Sequence, residues 1–114
     1  MNLKEEIVMI VEERIYTLYP GKAKVWMDTY EEYGLKIQSE ILGNMVGYFS
    51  TEFGPLNQII HMWAYESYEE RMRRRGLLFQ SEEWLSFLQK VKSLIISQEN
   101  KLLTPAPFID LRKK

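Results

Sequence analysis

Residues 58–65, QIIHMWAY, alternate without a break. Ile59, His61, Trp63 and Tyr65 fall on one side, and Ile60, Met62 and Ala64 on the other. A period of two belongs to an extended strand, so this run predicts a strand over 58–65 and gives each side chain a face. The stretch GPLN at 54–57 pairs Gly with Pro and reads as a turn. Before it, 44–53 is a second β-rich run, so the two segments predict an antiparallel hairpin.

The remaining elements arrange themselves around that hairpin. Ile7 to Leu18 is rich in β-branched and aromatic residues and predicts a first strand, after a polar, acidic start at 1–6. YPGK at 19–22 is a turn, with Pro20 pre-set for the bend. From Lys22 to Tyr33 the apolar residues Val25, Trp26, Tyr30 and Tyr33 follow helical spacing, and Gly34 is positioned to stop that helix. Residues 35–43 form a short helical or irregular link. Ser67, with Glu70 three residues on, predicts a capped helix to about Phe79. A second cap at Ser81 restarts it through Trp84, Leu85, Leu88, Val91 and Leu94. Ile95 to Leu103, ending before Pro105, predicts the last strand, and the Pro-bearing remainder predicts an extended tail. The order is β-α-β-β-α-β, the ferredoxin-like α+β arrangement: one antiparallel sheet with helices on one face.

Alternation then sorts the faces. Glu12, Arg14 and Tyr16 share a side of the first strand, His61, Trp63 and Tyr65 a side of the third, and Tyr48 belongs to the more polar set of the second. The plain apolar sets suit the helix-covered side, which leaves the charged and aromatic sets on the open side, with Glu13 placed near a sheet edge. A sheet face carrying such rings is not left in water. The economical cover is a second copy of the same sheet, closing a dimeric α–β barrel whose lumen these residues would line.

Composition excludes several classes. With 114 residues the chain suits one domain over 1–114. There is no Cys, which removes disulfides, thiolate nucleophiles and Cys-based metal sites. The net charge is −1, so nothing global steers the chain to nucleic acid or an anionic membrane. ERMRRR at 70–75 reads as a solvated helix face, with Glu69–Arg73 and Glu70–Arg74 pairs, ahead of a phosphate patch. The apolar run near the start is too short for a membrane span, and the expectation is a cytoplasmic protein. A phosphate loop, a Gly-x-Ser-x-Gly elbow and a zincin motif are all absent from the sequence.

The strings EERIYTLYPGK, GNMVGYFSTEFGPLNQIIHMWAYES and SQENKLLTPAPF resemble the NIPSNAP family in order and spacing, over roughly residues 9 to 108. The Glu-x-Arg-x-Tyr pattern falls on Glu12, Arg14 and Tyr16. The resemblance implies the dimeric α–β barrel superfamily and no firmly established activity. By superfamily analogy it implies a cofactor-independent oxygenation or isomerisation.

His61 is the candidate catalytic residue, as a general base, a metal ligand or an axial haem ligand. One His with scattered carboxylates is thin support for a metal, and nothing else calls for haem or another cofactor. The structural alternative is a lumen His bonded to Tyr or Glu. Glu12, Arg14, Tyr16, Tyr48, Trp63 and Tyr65 are the candidate substrate-binding residues, with Arg14 suited to a carboxylate. Their alternative is an internal ion pair and aromatic packing. Two functions therefore stand open: a homodimer binding a small apolar or aromatic molecule in its lumen, with or without catalysis, and a non-catalytic homodimeric interaction module.

Overall fold

A computed structural model describes residues 9–113. Strand β1 spans Ile10–Leu18 and is followed by helices α1 (Ala23–Tyr33) and α2 (Leu35–Leu42). The hairpin is β2 (Met45–Ser50) and β3 (Gln58–Tyr65). Helices α3 (Tyr68–Leu78) and α4 (Glu82–Val91) lead through one 3-10 turn to β4 (Ile95–Leu103). The sheet order is β2-β3-β1-β4 with every pairing antiparallel, the ferredoxin-like topology. The expected strand residues Ile7 and Val8, and the polar start at 1–6, lie outside the described residues.

Each long connection carries two helices. Gly34 ends α1 as expected, but the next residue starts α2, and its φ of −118° is ordinary right-handed backbone. Close packing explains the glycine: a Cβ there would lie 2.9 Å from a Tyr30 ring carbon and 3.2 Å from Phe87. Both predicted serine caps form. Ser67 Oγ accepts from the Glu70 amide at 3.0 Å, and Ser81 Oγ from the Trp84 amide at 3.2 Å. The Glu70 carboxylate turns to Arg73 and Arg74. Strand β2 is shorter than its sequence run, because a bulge near Val46 shifts its register on β3 and pairing ends at Ser50.

The alternation holds in β1 and β3, but the two faces are reversed from the sequence expectation. Tyr16, Leu18, Ile59, Trp63 and Tyr65 pack in one core with Trp26 and Tyr30 of α1, Leu42 of α2, Leu78 of α3, and Trp84, Phe87 and Val91 of α4. His61 lies among them, 1% exposed. The opposite set, Ile15, Ile60 and Met62, is on the face that no helix covers and stays only half-buried. Part of that face is covered by the tail: Leu111 packs on Met9, Val11, Met62 and Ala64, and its carbonyl accepts from Asn44. Glu13 is on this face too, and β1 is an interior strand, so the sheet-edge placement is also corrected.

The reason is compensation. Polarity suggests an outward face, yet Glu12, Arg14 and the Nδ1 side of His61 all have partners supplied by the fold beneath the helices. Among the described residues, the plain apolar face is the one without a helical layer.

Candidate functional site

Strand register builds one row of the site. His61 is paired with Arg14 of β1 on one side and with Tyr48 of β2 on the other, and Arg14 is paired in turn with Asn100 of β4. The next row places Glu12 beside Trp63, and the row before it places Tyr16 beside Ile59 and Gln98. All of them point toward the helices.

Glu12 is the electrostatic anchor. It is 1% exposed and accepts from Arg14 Nη1 at 2.8 Å, from Arg71 Nε and Nη2 at 3.0 and 2.8 Å, and from Asn100 Nδ2 at 2.9 Å. Burial alone would raise its pKa. The hydrogen bonds from Arg71 and Asn100 and the charge of Arg14 outweigh that and take it down to about 2. Arg14 also donates from Nε to the Tyr16 hydroxyl at 3.0 Å. Arg71 thus leaves the solvated helix face that the sequence suggested for ERMRRR, and Arg74 does so in part, donating to the Ile41 carbonyl at the end of α2.

His61 is held in one tautomer. The Trp63 indole N–H, which can only donate, gives its proton to His61 Nδ1 at 2.7 Å. Burial first, and the Arg14 charge second, lower the imidazole pKa to about 3. A neutral ring that accepts at Nδ1 carries its proton on Nε2, so Nε2 is a donor. It has no hydrogen-bond partner. The general-base role expected from the sequence therefore does not suit this histidine. Its ring is clamped by stacking on Tyr48, with centroids 4.7 Å apart, and by the edge of Tyr16 at 5.0 Å. Tyr48 in turn stacks on Tyr30 and accepts from the Trp26 indole at 2.9 Å. Burial raises the Tyr48 pKa and keeps the phenol protonated.

His61 lines a cavity of about 210 Å³ between the sheet and the helices. Arg14, Tyr16 and Tyr48 line it, as the sequence expected of a binding site, together with His61. Glu12, Trp63 and Tyr65 do not, although they are its near neighbours in the sheet. Glu12 and Trp63 orient Arg14 and His61, while the Tyr65 hydroxyl is buried without a partner and burial raises its pKa to about 12. The residues expected to line a lumen on the open face lie instead beneath the helices of one chain, where four of them line this cavity. Sequence reasoning missed its helical wall: Trp26, Gln38, Arg75, Trp84 and Phe87. A signal for Arg75 was present, since Arg71, Arg75 and Leu78 are four and three residues apart and share a helix face. Leu78 is fully buried, which marks that face as the inward one. The exposed members of the lining, Phe79 and Gln98, mark the mouth.

Among the described residues no three His, Cys, Asp or Glu side chains gather where a metal would sit, and no helix is long and apolar enough to cross a membrane.

The NIPSNAP family model matches residues 11–110. This chain belongs to the NIPSNAP family. A NIPSNAP relative, the NipSnap homolog of Dictyostelium discoideum, is 35% identical over 91% of the chain. The chain spans 46% of that protein, less than half of its length. Among solved structures, a NIPSNAP family protein of Agrobacterium tumefaciens is 47% identical, with a TM-score of 0.87 over 91% of this chain and 99% of that one. Two distant structures share the NIPSNAP fold alone. One is a candidate antibiotic biosynthesis monooxygenase of Nitrosomonas europaea, 8% identical, TM-score 0.64, covering 92% of this chain and 95% of that one. The other is a dimeric ferredoxin-like protein from an uncultured marine organism, 12% identical, TM-score 0.70, covering 96% and 99%.

Proposed function

We propose that this chain acts as one domain of a cytoplasmic homodimer that binds a small aromatic molecule in the cavity of each protomer. The observation that carries the reading is the buried His61 Nε2, without a partner among the described residues, on a side chain that lines an aromatic-walled cavity. Buried polar atoms are nearly always satisfied, and those that are not are found where something else supplies the partner. The size suits one ring, since a cavity of about 150 Å³ in another protein takes up benzene.

The uncovered apolar face supports the dimer. Ile15, Ile60 and Met62 are half-buried there, and Phe49 of β2 is 52% exposed on the same side. A second copy would remove these groups from water at about 25 cal/mol per Å². The distant marine neighbour is itself described as dimeric. Nucleic acid has no part in this reading, because the chain is not basic overall and two of the four arginines in ERMRRR are engaged with β1 and α2.

Donors on side chains that line the cavity suit an oxyanion on the ligand. That is the charge that builds up in isomerisations and cofactor-independent oxygenations, and it is the feature through which any catalysis would run.

The test is saturable binding of single-ring compounds, neutral and anionic, followed by tryptophan fluorescence and by the rise in Tm. Leu88 lines the cavity from α4. Leu88→Trp, which fills it, is expected to abolish binding while the protein stays folded. Absence of saturable binding across both sets, or binding untouched by Leu88→Trp, overturns the reading.

A further inference from the structure

The chemistry of the cavity wall says what kind of ligand it suits. Two of its side chains carry polar atoms that are buried and without a partner: His61 Nε2 and Trp84 Nε1. Both are N–H donors. Trp84 is 5% exposed and its indole can only donate. Two guanidinium groups join them, Arg14 from β1 and Arg75 from α3. Among the described residues no carboxylate lines the cavity.

The charge count points the same way. Among the described residues Arg14, Arg71 and Arg75 all act on one carboxylate, Glu12, which leaves two positive charges in excess. Arg14 and Arg71 are bonded to Glu12. Arg75 has no carboxylate within ion-pair distance among the described residues. It lies over the Phe79 ring at 5.4 Å, at the mouth. Burial and the neighbouring Arg14 both disfavour its charge, as expected of a cation awaiting a counter-ion.

A base is missing as well. His61 holds its proton on Nε2, and Tyr48 is kept protonated. A wall whose described residues bring guanidiniums and N–H donors but no carboxylate suits a ligand that arrives as an anion.

We infer that the cavity selects a small organic carboxylate on a single-ring apolar body, its oxygens held by Arg75, Trp84 Nε1 and His61 Nε2 and its ring among Trp26, Tyr48 and Phe87. This rests on the cavity being a ligand site. The aromatic walls favour the ring, and the donors favour the charge. Inorganic anions share the charge but not the body.

The experiment titrates the intact protein with benzoate, phenylacetate and 3-phenylpropanoate, with the matching neutral amides, and with inorganic phosphate. At least one carboxylate is expected to bind ten-fold or more tighter than its amide and than phosphate. Arg75→Met keeps the aliphatic stem, removes no ion pair to a described carboxylate, and is expected to weaken that carboxylate ten-fold or more. Trp84→Phe keeps the ring and removes the donor, and is expected to weaken it several-fold. Indole N–H resonances give a second readout. Trp26 and Trp63 already donate to Tyr48 and His61, so the Trp84 signal alone should move strongly downfield on binding. Amides that bind as tightly as acids, with Arg75→Met indifferent, sink the anion inference and leave the ligand site standing. Phosphate binding alone refutes the organic body. Silence from both the acids and the amides refutes this inference and the ligand site together.

Discussion

The two faces of this sheet invert the usual division of labour. Beneath the helices lie Glu12, Arg14 and His61, groups that water would solvate gladly. On the side no helix covers lie Ile15, Ile60 and Met62, groups that burial favours. The inner face has replaced water by built partners: two guanidiniums and an amide on Glu12, and an indole on His61. Among the described residues the outer face has built no partner except the stretch of tail around Leu111. Polarity along a strand therefore reports where chemistry has been assembled, and not which side is wet.

The comparison is broken most severely through Glu12. Glu12→Gln keeps the shape and leaves Arg14 and Arg71 facing each other without their carboxylate. A loss of about 3 kcal/mol in unfolding free energy is expected, the low end for removing one partner of a buried pair because both guanidiniums keep some water contact. Denaturant titration at neutral pH measures it. A change below about 1 kcal/mol would mean that the inner face is far wetter than its geometry.

The outer face is tested by Ile60→Asp. The charge cannot be stranded between two sheets, so the proposed dimer should dissociate at micromolar concentration, seen as a halved mass in light scattering relative to the unsubstituted chain. Far-UV circular dichroism should remain native, since Ile60 touches no helix layer. Persistence of a dimer would move the interface elsewhere.

The smallest effect sharpens the inner face. His61 is paired in register with Arg14 and stacked under Tyr48, with the charges of Arg14, Glu12 and Arg75 acting on it. Its folded pKa of about 3 lies below the ordinary value of 6.5. Between those values the unfolded chain binds the proton and the folded one does not, so stability falls as pH drops below about 6.5. The slope should approach about 1.4 kcal/mol per pH unit. Glu12 acts in the same direction only below its ordinary value of 4.5 and down to about 2, so the window from 4.5 to 6.5 isolates His61. His61→Gln should flatten that window. An unchanged slope would assign it to another group.

Much of this was legible in the sequence. The element order, the serine caps at 67 and 81, the Gly34 stop and the pairing of sides along β1 and β3 all follow from local rules about period and capping. Arg14, Tyr16, Tyr48 and His61 were picked out for the right alternation. The side on which they lie was not legible, because it depends on what the helices bring to meet them. Arg71 reaches Glu12 across 59 residues, and the indole of Trp26 reaches Tyr48 across 22. No window of strand sequence carries those partners. The cavity wall from α4 was hidden for the same reason: Trp84 and Phe87 read as an ordinary apolar stripe until the sheet residues opposite them are known to be polar.

The single hydrogen bond from Trp63 to His61 has one more consequence. By occupying Nδ1 it leaves the imidazole nowhere convenient to accept a proton, and the pocket presents the same electrical face from mildly acidic to neutral medium. A titration of ligand affinity against pH then becomes a thermometer for the guest: its inflection reports the ionisation of the captured acid and not of the host. An unknown metabolite drawn from a mixture could be assigned its own pKa before its structure is solved.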